Sequence, residues 1–240
     1  MNVWKQALWL SRFEVRASLK SFLILFIIAI FYGLFFSISF AEFDFFVNDL
    51  FFIFIFWSMS NVVRPKVFTL QKISDGVWAA PFVVMLNQLP IQKNVLIISR
   101  FITYFIFSIP FHLLMLIFIY TFSADLREIV SAGSFIAFSI IWICYGVASG
   151  SMFPASEIGD KAPKNNLVLS ALGILFYGGV LGIIIVINIF SSRSIVSWSI
   201  YAVNERPFVS SFLSCVIAIL VVGYYTRYMR KKMDKIDFLK

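Results

Sequence analysis

The chain has 240 residues, of which 61% are hydrophobic, 19% aromatic and only 13% charged. Soluble domains carry roughly twice that share of charge, so the composition excludes an ordinary soluble enzyme and points to a chain whose solvent is lipid. The formal net charge of +8 does not argue for nucleic acid, because the basic residues sit beside apolar runs, where membrane topology and anionic headgroups account for them.

Residues 2–20 come first. At about 100° per residue, Lys5, Trp9, Arg12, Arg16 and Lys20 fall on one narrow face, and Trp4, Leu8, Val15 and Leu19 on an apolar side. This predicts a basic amphipathic helix lying in the membrane interface rather than a plain stop-transfer flank. The apolar run behind it carries no small-residue cleavage site, so it is expected to stay as the first span and not to be removed as a signal peptide. Six runs read as spans: Phe22–Ala41, Phe46–Val63, Phe101–Ser123, Val130–Phe153, Leu167–Ser191 and Val209–Thr226. Each is close to the ~20 residues that a ~30 Å hydrocarbon core requires. With no water in that core, every backbone amide must be satisfied within its own segment, which predicts helices.

Residues 64–100, between the second and third runs, form the longest segment that does not span. Arg64-Pro65-Lys66 marks the exit from the bilayer, and Val77–Leu89 is an apolar stretch of 13 residues interrupted by Pro81. It is too short to cross and is expected along the interface or under the bundle. Pro90 suits the first turn of a helix, so Leu89-Pro90-Ile91-Gln92-Lys93-Asn94 is expected to form a short helix feeding the third span. A second surface of the same kind is expected at residues 154–164, bounded by prolines and carrying Glu157 and Asp160. The outer loops, Ala124–Ile129 and Ser192–Phe208, are short and imply no extracellular domain.

Six spans put 17 of the 20 Lys and Arg residues on one side, in the stretches 5–20, 64–100, 161–164 and 227–240. The other side holds Arg127, Arg193 and Arg206 with Glu42, Asp44, Asp49, Asp125, Glu128 and Glu205. By the positive-inside bias, both termini are cytoplasmic. The expected fold is thus all-α: one multi-pass transmembrane domain over residues 1–240 in the cell membrane, with a basic tail at 227–240. Trp198 and Tyr201 outside, and Tyr224, Tyr225 and Tyr228 inside, fit interfacial aromatic belts.

Signs of catalysis are missing from the sequence. It has no HExxH, no GxSxG and no paired carboxylates within the spans. Cys144 and Cys215 lie in apolar runs without CxxC spacing or histidine neighbours, so neither a disulfide nor a metal site is expected. The single histidine, His112, has no carboxylate near it in sequence and reads as a neutral polar residue bonded within the bundle, although an ionisable group inside a membrane keeps a functional reading open. No Gly-Lys pair occurs anywhere, so the chain holds no P-loop and ATP hydrolysis would fall to another chain. Gly146 to Gly150 and Gly178 to Gly182 are small-xxx-small patterns that mark close helix packing, within the chain or between two chains.

The layout resembles the permease subunit of ABC-2-type exporters. A basic amphipathic N-terminal helix precedes two spans; Leu89-Pro90-Ile91-Gln92-Lys93-Asn94 stands directly before the third, where such permeases often read Leu-Pro-Ile-Ser followed by basic residues; three more spans, small outer loops and a basic tail complete it. The resemblance covers the whole chain in layout and about six residues in motif. The chain departs from the pattern after the second span, where many relatives carry an acidic, glycine-bearing run resembling E-x-G-T and this chain has Ser74-Asp75-Gly76-Val77.

The resemblance implies a coupling helix around Leu89–Asn94, seated with Glu157 and Asp160 against an ABC ATPase present in two copies. ATP and magnesium would sit on that ATPase, with no cofactor in this chain. A second permease subunit, identical or homologous, would complete the path for a hydrophobic or amphipathic substrate such as a peptide, toxin or drug. Asn48 and Asp49, at the outer end of the second span, would meet polar or cationic groups of that cargo; Asp49 reads equally as a solvated N-terminal helix residue favoured by the macrodipole. The small outer loops suit a Gram-positive cell with one membrane. Two other classes stand beside this reading: a membrane-embedded immunity or sensor protein that binds a peptide without transport, and a channel or secondary carrier. The last would show inverted repeats and broken helices with buried charge, and no repeat is evident.

Overall fold

The computed structural model describes residues 2–39, 46–74, 77–161, 166–191 and 193–234. It is predominantly helical. Helix α1 (Val3–Ala17) is followed after Ser18 alone by α2 (Leu19–Ser39), and then come α3 (Phe46–Val62), α4 (Pro81–Asn87) and α5 (Lys93–Phe122). The rest of the chain supplies α6 (Ala124–Ile129), α7 (Ala132–Gly150), α8 (Met152–Glu157), α9 (Asn166–Ser191), α10 (Ile195–Glu205) and α11 (Pro207–Met233).

Five stretches are long and apolar enough to cross a membrane: Leu19–Ile38, Lys93–Phe122, Ala132–Glu157, Ser170–Ser191 and Pro207–Met233. The chain is therefore a membrane protein by the length and composition of its helices. The second expected span, α3, is shorter, with Asp49–Val62 as its apolar part. The third begins eight residues before the expected start, because α5 continues unbroken from Lys93 through Pro110 to Phe122; its 30 residues rise roughly 45 Å, more than the hydrocarbon core.

The segment after α3 differs from the expectation of a purely helical domain. Gln71–Ser74 (β1) and Val77–Ala79 (β2) pair antiparallel, and β2 pairs in turn with Asp160–Lys161 (β3), giving the order β1-β2-β3. Trp78 and Val77, residues that favour a pleated surface, thus tie the segment after α3 to the one after α8. The apolar run Val77–Leu89 is split between β2 and α4. Pro81 takes the first turn of α4, behind Ala80 in extended conformation, where its missing N–H costs nothing.

The same chemistry corrects the expected helix at Leu89–Asn94. A proline pushes the residue before it out of the α region, so α4 ends at Asn87, and Leu89-Pro90-Ile91-Gln92 is the turn that delivers the chain to α5. The two expected outer loops contain the short helices α6 and α10, each N-capped by a serine, Ser123 and Ser194, whose hydroxyl accepts a backbone N–H.

Buried apolar residues form two clusters. One runs through the spans and includes Phe36, Phe52, Phe56, Phe107, Phe111, Met115, Phe138 and Trp142. The other lies where α1, α4, α8 and the ends of α5 and α11 meet, with Leu10, Phe68, Phe82, Val83, Leu86, Leu96, Ala155 and Met229. Phenylalanine fills the first through edge-to-face contacts such as Phe36–Phe52 and Phe52–Trp142, with centroids 5.0 and 4.5 Å apart, a geometry that adds to simple burial. Helices α9 and α11 bury little of their apolar surface: Ile174, Phe190, Phe212 and Ile219 are all more than 70% exposed.

The two glycine patterns diverge. Gly146 and Gly150 pack inside the chain, where a Cβ would fall on the His112 ring and on the Tyr104 hydroxyl of α5. At Gly178, Gly179 and Gly182 nothing among the described residues lies within 4 Å of an added Cβ. Gly150→Ala should therefore cost about 1–3 kcal/mol through overpacking, whereas Gly178→Ala should be neutral or stabilise α9 by roughly 0.5–1 kcal/mol. Thermal unfolding of the two variants in the same detergent checks this; equal effects would contradict the α5–α7 packing.

Candidate functional site

Four charged side chains are buried together at the basic end of the bundle. Glu14 comes from α1, Arg64 from the turn after α3, Arg100 from α5 and Glu157 from the end of α8, and none is more than 4% exposed. Arg64 donates through Nη1 to Glu157 Oε1 at 2.5 Å and through Nη2 to Glu14 Oε1. It also donates to the Phe68 carbonyl at 3.3 Å and to Asn61 Oδ1 at 3.2 Å. Arg100 Nη2 lies 2.5 Å from Glu14 Oε2, and its Nη1 lies 3.6 Å from Glu157 Oε2. Thr103 Oγ1 donates to Glu14 Oε2 at 3.5 Å.

The group is charge-balanced: two guanidinium groups face two carboxylates. Burial by itself disfavours the Arg64 cation, but Glu157 and Glu14 more than reverse that, and its pKa lies above the ordinary arginine value. Aromatic rings close the site on both sides. Arg64 lies 5.9 Å from the Phe107 ring centroid, in the apolar cluster of the spans, and Arg100 lies 5.3 Å from Phe82 of α4. The backbone holds the fourth corner, since the Ala80 amide donates to the Glu157 carbonyl at 2.9 Å. The site thus joins α4 to α1, α5 and α8.

Glu157 is corrected by this arrangement. Expected as an outward contact for an ATPase, it is buried with its carboxylate committed to Arg64 and Arg100. Asp160 lies in β3 opposite Trp78, and its side chain is outside the described residues. Leu89, Pro90, Gln92, Lys93 and Asn94 are exposed and Ile91 half-buried, so this stretch does form a surface, beside Met85 at the outer face of α4. Gln92, Lys93 and Asn94 line a polar pocket of about 440 Å³ with Arg230 and Asp234 of the α11 end, and Lys93 Nζ lies 2.5 Å from Asp234 Oδ1.

Asp49 is also corrected. It is neither solvated nor directed at a path: it is fully buried and caps α10. Its Oδ2 accepts from the Ile195 amide at 2.5 Å and its Oδ1 from the Val196 amide at 3.0 Å, while Asn188 Nδ2 of α9 donates to Oδ2 at 3.2 Å. Ser194 Oγ takes the Ser197 amide at 3.0 Å. The orphan donors of the first turn of α10 are thereby shared between its own cap and a carboxylate from α3. Asn48 lies in α3, with its side chain outside the described residues.

Along the spans, an apolar cleft of about 430 Å³ separates α3, α7, α9 and the inner part of α11, walled by Phe54, Trp57, Tyr145, Phe176, Tyr177 and Tyr225. His112 lies apart from it, buried and stacked on Phe56 with ring centroids 4.7 Å apart. Cys144 and Cys215 are free thiols on α7 and α11, with sulfurs 3.7 Å apart.

Sequence reasoning missed the four-residue ion group. Its one legible sign was Glu14, the only acid of α1, on the face that also carries Ala7, Leu10 and Ser11. No protein-family model, curated protein or solved structure matches the chain.

Replacing Arg100 with Met leaves a buried carboxylate short of a partner and should cost about 3–5 kcal/mol. Lys93→Ala, which removes an exposed pair, should cost less than about 1 kcal/mol. Arg100→Met combined with Glu157→Gln should cost less than the sum of the two single changes, because the pair is coupled. Thermal unfolding of the four variants reads all three outcomes.

Proposed function

We propose that this chain is the membrane-spanning permease subunit of an ATP-driven exporter of the ABC-2 type, which moves a hydrophobic or amphipathic substrate out of the cell. The observation that carries the reading is the arrangement at the base of α5. The exposed stretch Leu89–Asn94 follows α4, whose inner residues Phe82, Val83 and Leu86 are buried in the bundle. A push on this surface would travel through rigid packed elements rather than dissipate in a loose loop. Two copies of an ATPase would supply the push and carry ATP and magnesium. A second permease subunit would face the sparsely buried α9, with its open Gly178 to Gly182 strip. The aromatic cleft between α3 and α9 suits apolar cargo, which could enter it from the bilayer without exposing apolar surface to water.

Met85 of α4 joins the residues expected at the ATPase contact, and Glu157 and Asp49 leave the set of ligand-facing residues. Leu89→Asp with Ile91→Asp would bury charge in an apolar groove of the ATPase, a loss of several kcal/mol if that contact is dry. The double variant should insert and remain monodisperse, yet fail to co-purify the ATPase from native membranes. Complex formation and transport at wild-type levels would sink the coupling assignment.

Orientation is a separate prediction. On the positive-inside bias of the Lys and Arg distribution, both termini and residues 64–100 are expected in the cytoplasm. Single cysteines at the exposed positions Lys72 and Arg230, in a Cys-free background, should resist a membrane-impermeant thiol reagent in intact cells, while cysteines at the exposed positions Glu128 and Asn204 should react. The reverse pattern would invert the topology.

A further inference from the structure

Helix α1 presents three different faces, and the exporter reading calls on none of them. Ala7, Leu10, Ser11 and Glu14 are buried, and this face lies against α5. The next strip round the helix is apolar and exposed: Trp4, Leu8 and, at the start of α2, Leu19 are 59%, 52% and 65% accessible. The strip opposite the buried face carries Lys5, Arg12 and Arg16, continued by Lys20 at the start of α2, all exposed, with Trp9 among them at 70%. The sole carboxylate of α1, Glu14, is turned away into the ion group with Arg64 and Arg100.

We infer that the Lys5, Arg12, Arg16 and Lys20 strip binds the headgroups of anionic phospholipids, and that this lipid contact holds α1 in its seat on α5. Two features of the helix single out a lipid as the occupant. First, only Ser18 separates α1 from the spanning helix α2, so the strip is pinned at the depth where hydrocarbon ends and headgroups begin. The exposed Trp4 and Leu8 can then dip into the apolar side while the cations stay at the polar level. Second, Arg12 and Arg16 stand at i, i+4 within α1, a spacing at which like charges destabilise a helix, and Lys20 adds a third cation just past Ser18. With the one acid of α1 facing inward, the counter-charge comes from outside the helix, and phosphate groups of the adjoining leaflet lie at the right height to supply it. Because the same helix carries Glu14 on its inner face, loss of that counter-charge loosens the buried ion group as well. The inference rests on the chain being a membrane protein and does not depend on transport or on an ATPase.

The test uses the purified full-length chain in nanodiscs of phosphatidylcholine alone or of phosphatidylcholine with phosphatidylglycerol. The melting temperature should be several degrees higher in the anionic discs, and added salt should erode the difference. A variant carrying Lys5→Gln, Arg12→Gln, Arg16→Gln and Lys20→Gln should melt at the same temperature in both lipids, and in phosphatidylcholine it should melt no lower than the wild type. A control carrying Arg227→Gln, Arg230→Gln and Lys231→Gln at the end of α11 should keep the anionic gain. Native mass spectrometry supplies an independent readout: the wild type should retain more phosphatidylglycerol than the α1 variant. Equal melting in the two lipids for the wild type, or a gain that the α1 variant keeps, overturns the inference. A strip that serves to dock a partner protein would give the first of those results.

Discussion

Four charges can be buried together in an apolar bundle only as a set. Each guanidinium and carboxylate loses its hydration on burial, and mutual pairing repays that loss only when every member is present. Glu14, Arg64, Arg100 and Glu157 are separated by dozens of residues in the chain, so the group closes only when α1, the turn after α3, the inner part of α5 and the end of α8 have all arrived. It therefore specifies the assembled base of the bundle more sharply than apolar contacts would, since those tolerate sliding. The close pairing of Arg100 with Glu14 at 2.5 Å, against its longer approach to Glu157 at 3.6 Å, makes the α1–α5 link the tighter of the two that Arg100 forms.

The opposite end of the bundle is pinned by a different polar device. Asp49 binds two amides at the start of α10 and an amide group of Asn188 on α9, so one carboxylate from α3 ties together the ends of three helices. Between the two pins there is little hydrophobic drive for association, because lipid is as apolar as the side chains. Close packing does the work there. Phe36, Phe52, Phe56 and Trp142 interlock, and Gly146 and Gly150 let α7 approach Tyr104 and His112 of α5. Helix α9 takes little part in this core, and α9 and α11 turn most of their apolar surface outward.

This division of labour bears on function. The base is a rigid unit in which α4 lies on Arg100 through Phe82 and the small sheet ties the segments after α3 and α8 together. The aromatic cleft, in contrast, lies between α3 and the loosely held α9, where a change of helix spacing would disturb few contacts. The proposed exporter function would call on this combination of stiffness and give.

The amino-acid sequence by itself determined the membrane character and the places of the long apolar helices. These follow from run length and composition, which act within a single segment; Pro90, read as the start of a helix, instead marks a turn. The tertiary structure alone decided that Glu14, Arg64, Arg100 and Glu157 meet, that Asp49 caps a helix begun at residue 195, and that one glycine pair packs inside the chain while the other stays open. Those outcomes depend on contacts between residues dozens to well over a hundred positions apart. A charged residue looks the same in sequence whether its partner is water or a buried counter-ion, and only the folded arrangement of helices selects between them.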